Sequence, residues 1–460
     1  MSILSAIRTA YGYEDAFGAK DSTTQEMRSA IEEWFALYYN REATKDEDPC
    51  QRIAYTIVNK LTKTAFGEYK ATSEDDFAQA VLDALDSRKR KAMQLALIGG
   101  EALIKPFPSA SGSFAFSIIP RNNILVFGRD AEGRPTDIGT AERTIQGNSY
   151  YTLLERRTVD DKGYLTLRNR LYVSETPGTL GRPVSLQALP RYEALHEEYT
   201  YPVPLHGLGL ALLKTPLENC VDGTHDGVSV YAPAVGLIHN IDRNEAQING
   251  EFERGKSRII VSDDLLRKGH DGRRRLVDDI FVGGGDENPE DLKPIIFSPE
   301  LREKSFLARK QEYLRNAENI IGLKRGLLSE VEAAERTATE VTSSAGDYNL
   351  TIIDFQSMWE VAVKEAVLIC GILGPMYRVP GAHEVDPDGI SIDWGNGILY
   401  DEDKTWSDYL NMVSSGLLKP EIALGWRFGV PAETEGDLAA IRKKYMPTLQ
   451  DEADARGEDG

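Results

Sequence analysis

Cysteine is scarce: 460 residues hold only Cys50, Cys220 and Cys370, far apart and odd in number. That excludes a disulfide framework and points to a reducing compartment. The six histidines (His196, His206, His225, His239, His270 and His383) show neither H-x-x-x-H nor H-E-x-x-H spacing and no nearby cysteine pair. No metal site and no cofactor are therefore expected. Positive charge is in deficit, with 53 Lys+Arg against 73 Asp+Glu, a formal charge of −20. Tight wrapping of nucleic acid needs clustered cations, so this balance excludes it, but not brief contact with DNA by a surface that mostly repels phosphate. Long apolar runs are missing as well. The most apolar window, Val361 to Met376, is interrupted by Lys364 and Glu365 and is too short to span a bilayer. The start, MSILSAIRTAYGYED, places Arg8 inside a short apolar patch, so no targeting segment is expected and synthesis in the cytoplasm is the reading. No G-x-S-x-G elbow occurs, and nothing in the chain demands an enzyme.

What is present is a soluble globular composition, 41% hydrophobic and 27% charged. The length allows a large core in two to four domains, or a few segments of one elongated subunit. The organising stretch is Arg336 to Met376. Its apolar residues Ala338, Val341, Ala345, Tyr348, Ile352, Phe355, Trp359, Ala362, Ala366 and Cys370 recur in steps of three and four. That spacing predicts one helix of roughly 55 Å with a single apolar stripe. Gly346, after Ser343 and Ser344, predicts a kink. Before this helix lies GLKRGLLSEVEAAE, a charged segment with weak periodicity.

Taken in order, the segment from Thr24 to Tyr69 reads as helices, and Ser73 reads as the N-cap of a helix running to about Leu97. GGEALIKPFP then breaks into a short strand. Phe114–Ile119, Asn123–Phe127, Tyr150–Val159, Tyr164–Val173 and Val184–Leu186 predict an antiparallel meander, and Pro202–Asp226 a linker. A helix from Val230 to about Arg254 ends at Gly255, and a second begins at Ser298-Pro299 and runs to about Ile321. Between them lies a small insert: the strand RIIVSDD, the charged turn LRKGHDGRRR, the strand-like LVDDIFV, GGGDENPED and the strand KPIIF. GISIDWGNGILY reads as a late strand, followed by helices near 402–415, 419–427 and 433–445 and a polar tail.

Three constellations could carry function. Gly250 to Ser257 fits G-x-x-x-x-G-K-[ST], with Lys256 as the phosphate-binding residue of a P-loop NTPase. That mechanism needs a strand before the loop and a helix after it, whereas the predicted order is reversed. Arg267, Lys268, Arg273, Arg274 and Arg275 crowd the insert. They read either as a docking surface for an acidic partner or nucleic acid, or as a solvated turn balanced by Asp271, Asp278 and Asp279. Lys324, Arg325, Glu330, Glu332 and Glu335 lie in the loop before the long helix, for which an ordinary connector is the plain alternative.

Several pieces together resemble the portal proteins of long-tailed, siphovirus-type bacteriophages. They are Gly100-Glu101-Ala102-Leu103-Ile104-Lys105-Pro106, Lys214-Thr215-Pro216 with Asn219, Gly255-Lys256-Ser257-Arg258-Ile259, and Gly322-Leu323 followed by Arg336-Thr337-Ala338-Thr339-Glu340-Val341. Ile390–Ile392 and Ser415-Gly416-Leu417-Leu418 also match, so the resemblance covers about residues 25 to 445. It implies an α+β subunit with an α/β wing, a helical stem, a small α/β clip, a long kinked tunnel helix and a short helical crown. The implied divisions are 1–228 wing, 229–255 stem helix, 256–298 clip, 299–321 stem helix, 322–336 tunnel loop, 337–400 long wing helix and returning strand, and 401–460 crown-like helices and acidic tail. The implied role is a ring, commonly of twelve subunits, at one capsid vertex of the virion, assembled in the host cytoplasm. Such a ring conducts double-stranded DNA without sequence specificity during packaging, retention and ejection. Its implied partners are other copies of itself, the terminase large subunit, a head–tail connector, and the major capsid and scaffolding proteins, with no membrane. On this map Lys324, Arg325, Glu330, Glu332 and Glu335 face the channel, and the cluster at 267–275 docks a partner. The chain departs from the family in its short crown and modest tail.

Overall fold

The computed structural model describes residues 13–40, 49–109, 112–176, 179–205, 207–255, 258–260, 266–268, 274–276, 295–297, 301–330, 338–395, 402–432 and 434–446. The fold is α+β, and the chain divides into two compact units, residues 1–63 with 72–390, and 64–71 with 391–460.

In the first unit, helix α1 (Tyr13–Phe17) leads into α2 (Gln25–Tyr39), whose N-cap Thr24 accepts a hydrogen bond from the Met27 amide at 3.1 Å. Helix α3 (Ile53–Ala65) follows, then strand β1 (Lys70–Ser73). The single helix expected from Ser73 is two, α4 (Asp76–Asp86) and α5 (Lys89–Gly99), separated at Ser87 and Arg88. Asp75, not Ser73, caps α4, its carboxylate accepting from the Ala78 amide at 2.7 Å.

Strands β2 (Glu101–Pro108), β3 (Phe114–Pro120) and β10 (Ala211–Lys214) form an antiparallel sheet in the order β10-β2-β3. Prolines are rarely found in a central strand, and here the register explains Pro106. Strand β10 pairs only with Glu101 to Ile104, so beyond it β2 has a neighbour on one side alone. The stretch expected to be a linker thus contributes a strand to this sheet.

The larger sheet runs β4 (Ile124–Arg129), β5 (Pro135–Gln146), β6 (Ser149–Val159), β7 (Leu165–Ser174) and β8 (Arg182–Val184), with β9 (Glu198–Thr200) also on β7. Neighbouring strands in it are antiparallel, as the meander requires, but Phe114–Ile119, expected as the first strand of that meander, belongs to the smaller sheet instead. Strand β5 departs from the sequence expectation. Its residues Ile138, Gly139, Thr140 and Ala141 are buried in succession, because both faces of the sheet are covered there. Leu125, Ala141 and Leu154 pack with Phe17 on one face, and Ile124, Val126 and Ile138 with Leu103, Leu208 and Leu210 on the other. A strand covered on both sides loses the alternation by which half-buried strands are read.

Helix α6 (Val235–Arg254) starts later than expected, because Ala232–Ala234, containing Pro233, form a 3₁₀ turn. Helix α7 spans Glu303–Ile321, and the expected cap Ser298 lies outside the described residues. Helix α8 spans Ala338–Met376 and is unbroken through Gly346, so no interruption marks the expected kink. Along it, Tyr348, Ile352, Phe355, Trp359, Ala362, Ala366 and Cys370 are all buried. Side chains of 338–347 lie outside the described residues, and with them the stripe's first three members. Helix α8 packs on β2, β10 and α4. Near its end, added Cβ atoms on Gly371 and Gly374 would meet the His383 carbonyl at 3.0 Å and the Ala382 Cβ at 2.4 Å.

The second unit carries α9 (Glu402–Ser414), α10 (Pro420–Phe428) and α11 (Glu435–Tyr445). Ala423, Leu438 and Ile441 are buried among them, and Thr434 with Asp437 forms a capping box at the start of α11. Strand β15 (Ile390–Asp393) pairs with β1, and the division between the units falls within both strands.

Candidate functional site

The site is built from the end of α7 outward. Ile321 is the last helical residue, and Gly322 adopts φ 75°, a left-handed conformation that glycine takes without strain. Its amide reaches the Asn319 carbonyl at 3.4 Å, and the Leu323 amide reaches the Glu318 carbonyl at 2.8 Å. These are the two hydrogen bonds of a Schellman stop. Leu323 is buried, and the Thr351 hydroxyl of α8 donates to the Gly322 carbonyl at 3.3 Å.

Immediately after this stop the chain reverses. The Leu327 amide donates to the Lys324 carbonyl at 3.0 Å, and Gly326 sits at φ 89°, the left-handed position that a type II turn requires. Lys324 and Arg325 lead this turn and are exposed.

The turn is held from beneath by Glu318, which is fully buried in the last turn of α7. One carboxylate oxygen accepts from the backbone amides of Gly326 at 3.1 Å, Leu328 at 2.5 Å and Ser329 at 2.9 Å. The other accepts from the Ser329 hydroxyl at 2.7 Å. Two outer contacts complete the clamp. Lys60 on α3 donates to the Leu327 carbonyl at 2.5 Å, and the Glu330 amide donates to the Gln311 side chain at 2.8 Å. Hydrogen bonds to an ionised acceptor are about twice as strong as neutral ones, so the carboxylate fixes the loop's path.

Of the five loop residues expected to act together, Lys324 and Arg325 share the turn tip, and Glu330 is exposed further along the loop. Glu332 and Glu335 lie outside the described residues. Sequence reasoning missed Glu318, Gln311 and Lys60. Glu318 carried a readable signal. An acidic residue in the last turn of a helix opposes the helix dipole, and such a residue usually answers to a local donor set.

Behind the loop, α6 and α7 run antiparallel and are pinned along their length. Glu251 takes a two-pronged pair from Arg302 at 3.1 and 3.0 Å. The Asn244 side chain donates to the Phe306 carbonyl at 3.1 Å, and Lys310 bridges Glu245 and Gln51, both at 2.8 Å. Ile241, Ile248, Leu314, Ala317 and Ile321 are buried along the pair, whereas Phe252, expected on the apolar face, is exposed.

The insert between α6 and α7 contains two ribbons. Strand β11 (Arg258–Ile260) pairs with β14 (Ile295–Phe297), matching Arg258 with Phe297, Ile259 with Ile296 and Ile260 with Ile295. Strand β12 (Leu266–Lys268) pairs with β13 (Arg274–Leu276), matching Leu266 with Leu276, Arg267 with Arg275 and Lys268 with Arg274. The described ends of the segment read as a charged turn are therefore paired as a ladder. Four of the five clustered cations are brought together in it, and Arg273 lies outside the described residues, as do Asp271, Asp278 and Asp279. Most of LVDDIFV lies outside them too.

The phosphate-loop match finds the wrong surroundings. Gly250 to Arg254 are the last residues of α6, Gly255 caps it at φ −78°, and the next described element is β11. The order is helix then strand, opposite to what a phosphate cradle needs, and Lys256 and Ser257 lie outside the described residues.

Two of the motifs that carried the family resemblance meet in space. Lys214 pairs with Glu101, the Thr215 amide donates to the Gly100 carbonyl at 2.9 Å, and the Thr215 hydroxyl donates to the Val228 carbonyl at 2.7 Å. Gly100 sits at φ 82°, and any Cβ there would lie 2.2 Å from the Gly227 backbone. Beside them, buried Arg121 donates to Asp226 at 2.9 Å and to the Thr23 hydroxyl at 3.1 Å, and Arg129 also pairs with Asp226. Burial alone would raise the Asp226 pKa, but the two guanidinium groups outweigh it and hold the carboxyl below its usual range. This buried cluster is a structural keystone of the first unit.

Among the described residues, no group of three or more His, Cys, Asp and Glu could hold a metal ion, and no helix is long and apolar enough to cross a membrane. Cys220 and Cys370 are free thiols, and burial pushes the Cys370 pKa up.

No family model matches the chain, and no curated protein matches it. Among solved structures, one described as the neck of a native GTA particle computed with C12 symmetry aligns with 92% of this chain and 99% of its own. The identity is 14% and the TM-score 0.47.

Proposed function

We propose that the chain is one subunit of a ring-shaped conduit for double-stranded DNA, of the phage portal type. The observation that carries this reading is the clamped turn at Lys324 and Arg325. A buried carboxylate that accepts three backbone amides and a hydroxyl holds two exposed cations at the junction between a pinned helix pair and the long helix α8. An ordinary connector needs no such support. A site that must meet a moving polyanion does, because a loop that yields would follow the load.

The charge balance supports the same reading. In a channel, a general excess of acid repels phosphate and lets DNA slide, and a few fixed cations make contacts that break readily in salt. On this reading Lys324 and Arg325 contact phosphate transiently, with Glu330, Glu332 and Glu335 as their acidic surround. The insert between α6 and α7 docks the packaging motor or a head–tail connector. The chain itself is not an enzyme, and movement is driven by a separate ATPase. Capsid and scaffolding proteins surround the ring at one vertex, and twelve copies close it.

The test is direct. Purified protein is imaged by electron microscopy, and ATP hydrolysis is measured before and after Lys256→Ala. Rings with a central hole and no Lys256-dependent turnover are the expected results. Clear turnover that depends on Lys256 overturns the reading in favour of a nucleotide enzyme.

A further inference from the structure

The two ribbons of the insert differ in kind. The β11–β14 ladder matches isoleucine with isoleucine in two of its three pairs, the pattern of a packing element. The β12–β13 ladder has two of its three pairs made of cation against cation, Arg267 with Arg275 and Lys268 with Arg274. Like charges directly opposite each other across an antiparallel pair destabilise it. A chain with 73 acidic residues has ample means to pair these cations within the ladder, yet its strands contain only leucine, arginine and lysine.

Register adds a second fact. Successive residues of a strand belong to opposite faces, so the Arg267–Arg275 pair occupies one face of the ribbon and the Lys268–Arg274 pair the other. A ribbon that docks flat on an acidic protein surface needs cations on one face only. A ribbon with cations on both faces fits between two anionic walls. The grooves of duplex DNA supply that geometry, with a phosphate strand on each side, and the major groove is wide enough to admit a two-stranded ribbon.

We propose that the β12–β13 ribbon is a groove-seated phosphate clamp for duplex DNA, each face meeting one of the two phosphate strands. The inference rests on the conduit reading for the presence of duplex DNA at the insert. It adds to that reading a holding element distinct from the Lys324–Arg325 turn, consistent with retention of DNA against back-sliding. The leucine pair Leu266–Leu276 lies at the root of the ribbon, on the same face as Lys268 and Arg274, and sets the limit of the clamp.

The test measures binding of the full-length protein to a short labelled duplex by fluorescence anisotropy across a potassium chloride series. Three double variants are compared, Arg267→Ala with Arg275→Ala, Lys268→Ala with Arg274→Ala, and Arg267→Lys with Arg275→Lys. Each alanine pair should weaken duplex binding and lower the salt slope by about one for each phosphate it ceases to neutralise, and the lysine pair should retain both. Wild-type binding and slope in both alanine pairs overturn the proposal. An effect confined to one face also overturns it and favours flat docking on an acidic protein, as does competition by polyglutamate equal to that by duplex DNA. Imaging the same samples separates the two claims. Rings whose duplex binding ignores the alanine pairs refute the clamp alone. Duplex binding weakened by both alanine pairs, in a protein that forms no rings, refutes the conduit and leaves the clamp standing.

Discussion

Replacing Glu318 by alanine is the sharpest local perturbation the site allows. The carboxylate accepts three backbone amides and one hydroxyl. Gly326 is exposed and Leu328 half-buried, so water can replace much of what their amides lose. Ser329 is buried, so its amide and hydroxyl are orphaned in the variant. Each buried donor left unsatisfied costs about 1–3 kcal/mol. Relief from burying the carboxylate itself offsets part of this. A net of about 3 kcal/mol is the working figure, which corresponds to loop opening on the order of a hundredfold more frequent. Global stabilities of domains are about 5–15 kcal/mol, so the chain should stay folded while this loop frees itself. Amide hydrogen exchange reads the effect directly. Leu328 and Ser329 should exchange on the order of a hundredfold faster, with amides of α2 and β6 unchanged. Glu318→Gln, which keeps a carbonyl acceptor but loses the charge, should fall between the two. Unaltered exchange at Leu328 and Ser329 in the alanine variant would refute the clamping role of Glu318.

Two further perturbations address charge. Reversing Lys324 and Arg325 to glutamate should leave assembly intact, since both lie exposed at the turn tip, but should impair DNA packaging or retention. Normal packaging would remove the turn from the mechanism. At Glu155, burial alone would raise the carboxyl pKa, but Arg157 and then Lys105 outweigh it and bring it down to about 2. A carboxyl with a depressed folded-state pKa stabilises above its ordinary value of 4.5, and that contribution is lost as pH falls from there toward 2. The loss amounts to about 3 kcal/mol. Denaturation midpoints between about pH 6 and pH 3 should show much of it. Glu155→Gln should flatten this part of the profile while destabilising the protein at neutral pH, because Arg157 and Lys105 lose their anion. An acid profile unchanged by Glu155→Gln would contradict the assignment.

How far the sequence could be read differed by element, for physical reasons. The buried stripe from Tyr348 to Cys370 was legible because its apolar residues keep to helical spacing on one buried face. The two helices that flank the insert were legible for the same reason, whereas β6, with Thr152, Leu153, Leu154 and Glu155 buried in succession, was legible from its tyrosine, threonine and valine content rather than from a period. Strand β5, covered on both faces as β6 is, was hidden because Pro135 and Asp137 read as turn rather than strand, and β10 because its four residues sit between glycines and prolines that read as linker. Ser73 looked like a cap since Asp75 and Asp76 stood behind it as an acidic first turn, yet the capping role falls to Asp75. At the site, Lys324 and Arg325 were legible as charge, but their rigidity was not. It comes from Glu318, and a residue's hydrogen bonds to a segment eight to eleven positions on leave no periodic trace. The cationic cluster was visible in composition, whereas its division into two faces needed the register of β12 against β13.

The conduit reading depends on the chain's closing into a ring around a channel. Electron microscopy of the purified full-length protein, backed by light scattering over a concentration series, decides whether it does. Closed rings with a central hole wide enough for a DNA duplex are the expected result. A well-behaved monomer that persists at high concentration would contradict the conduit.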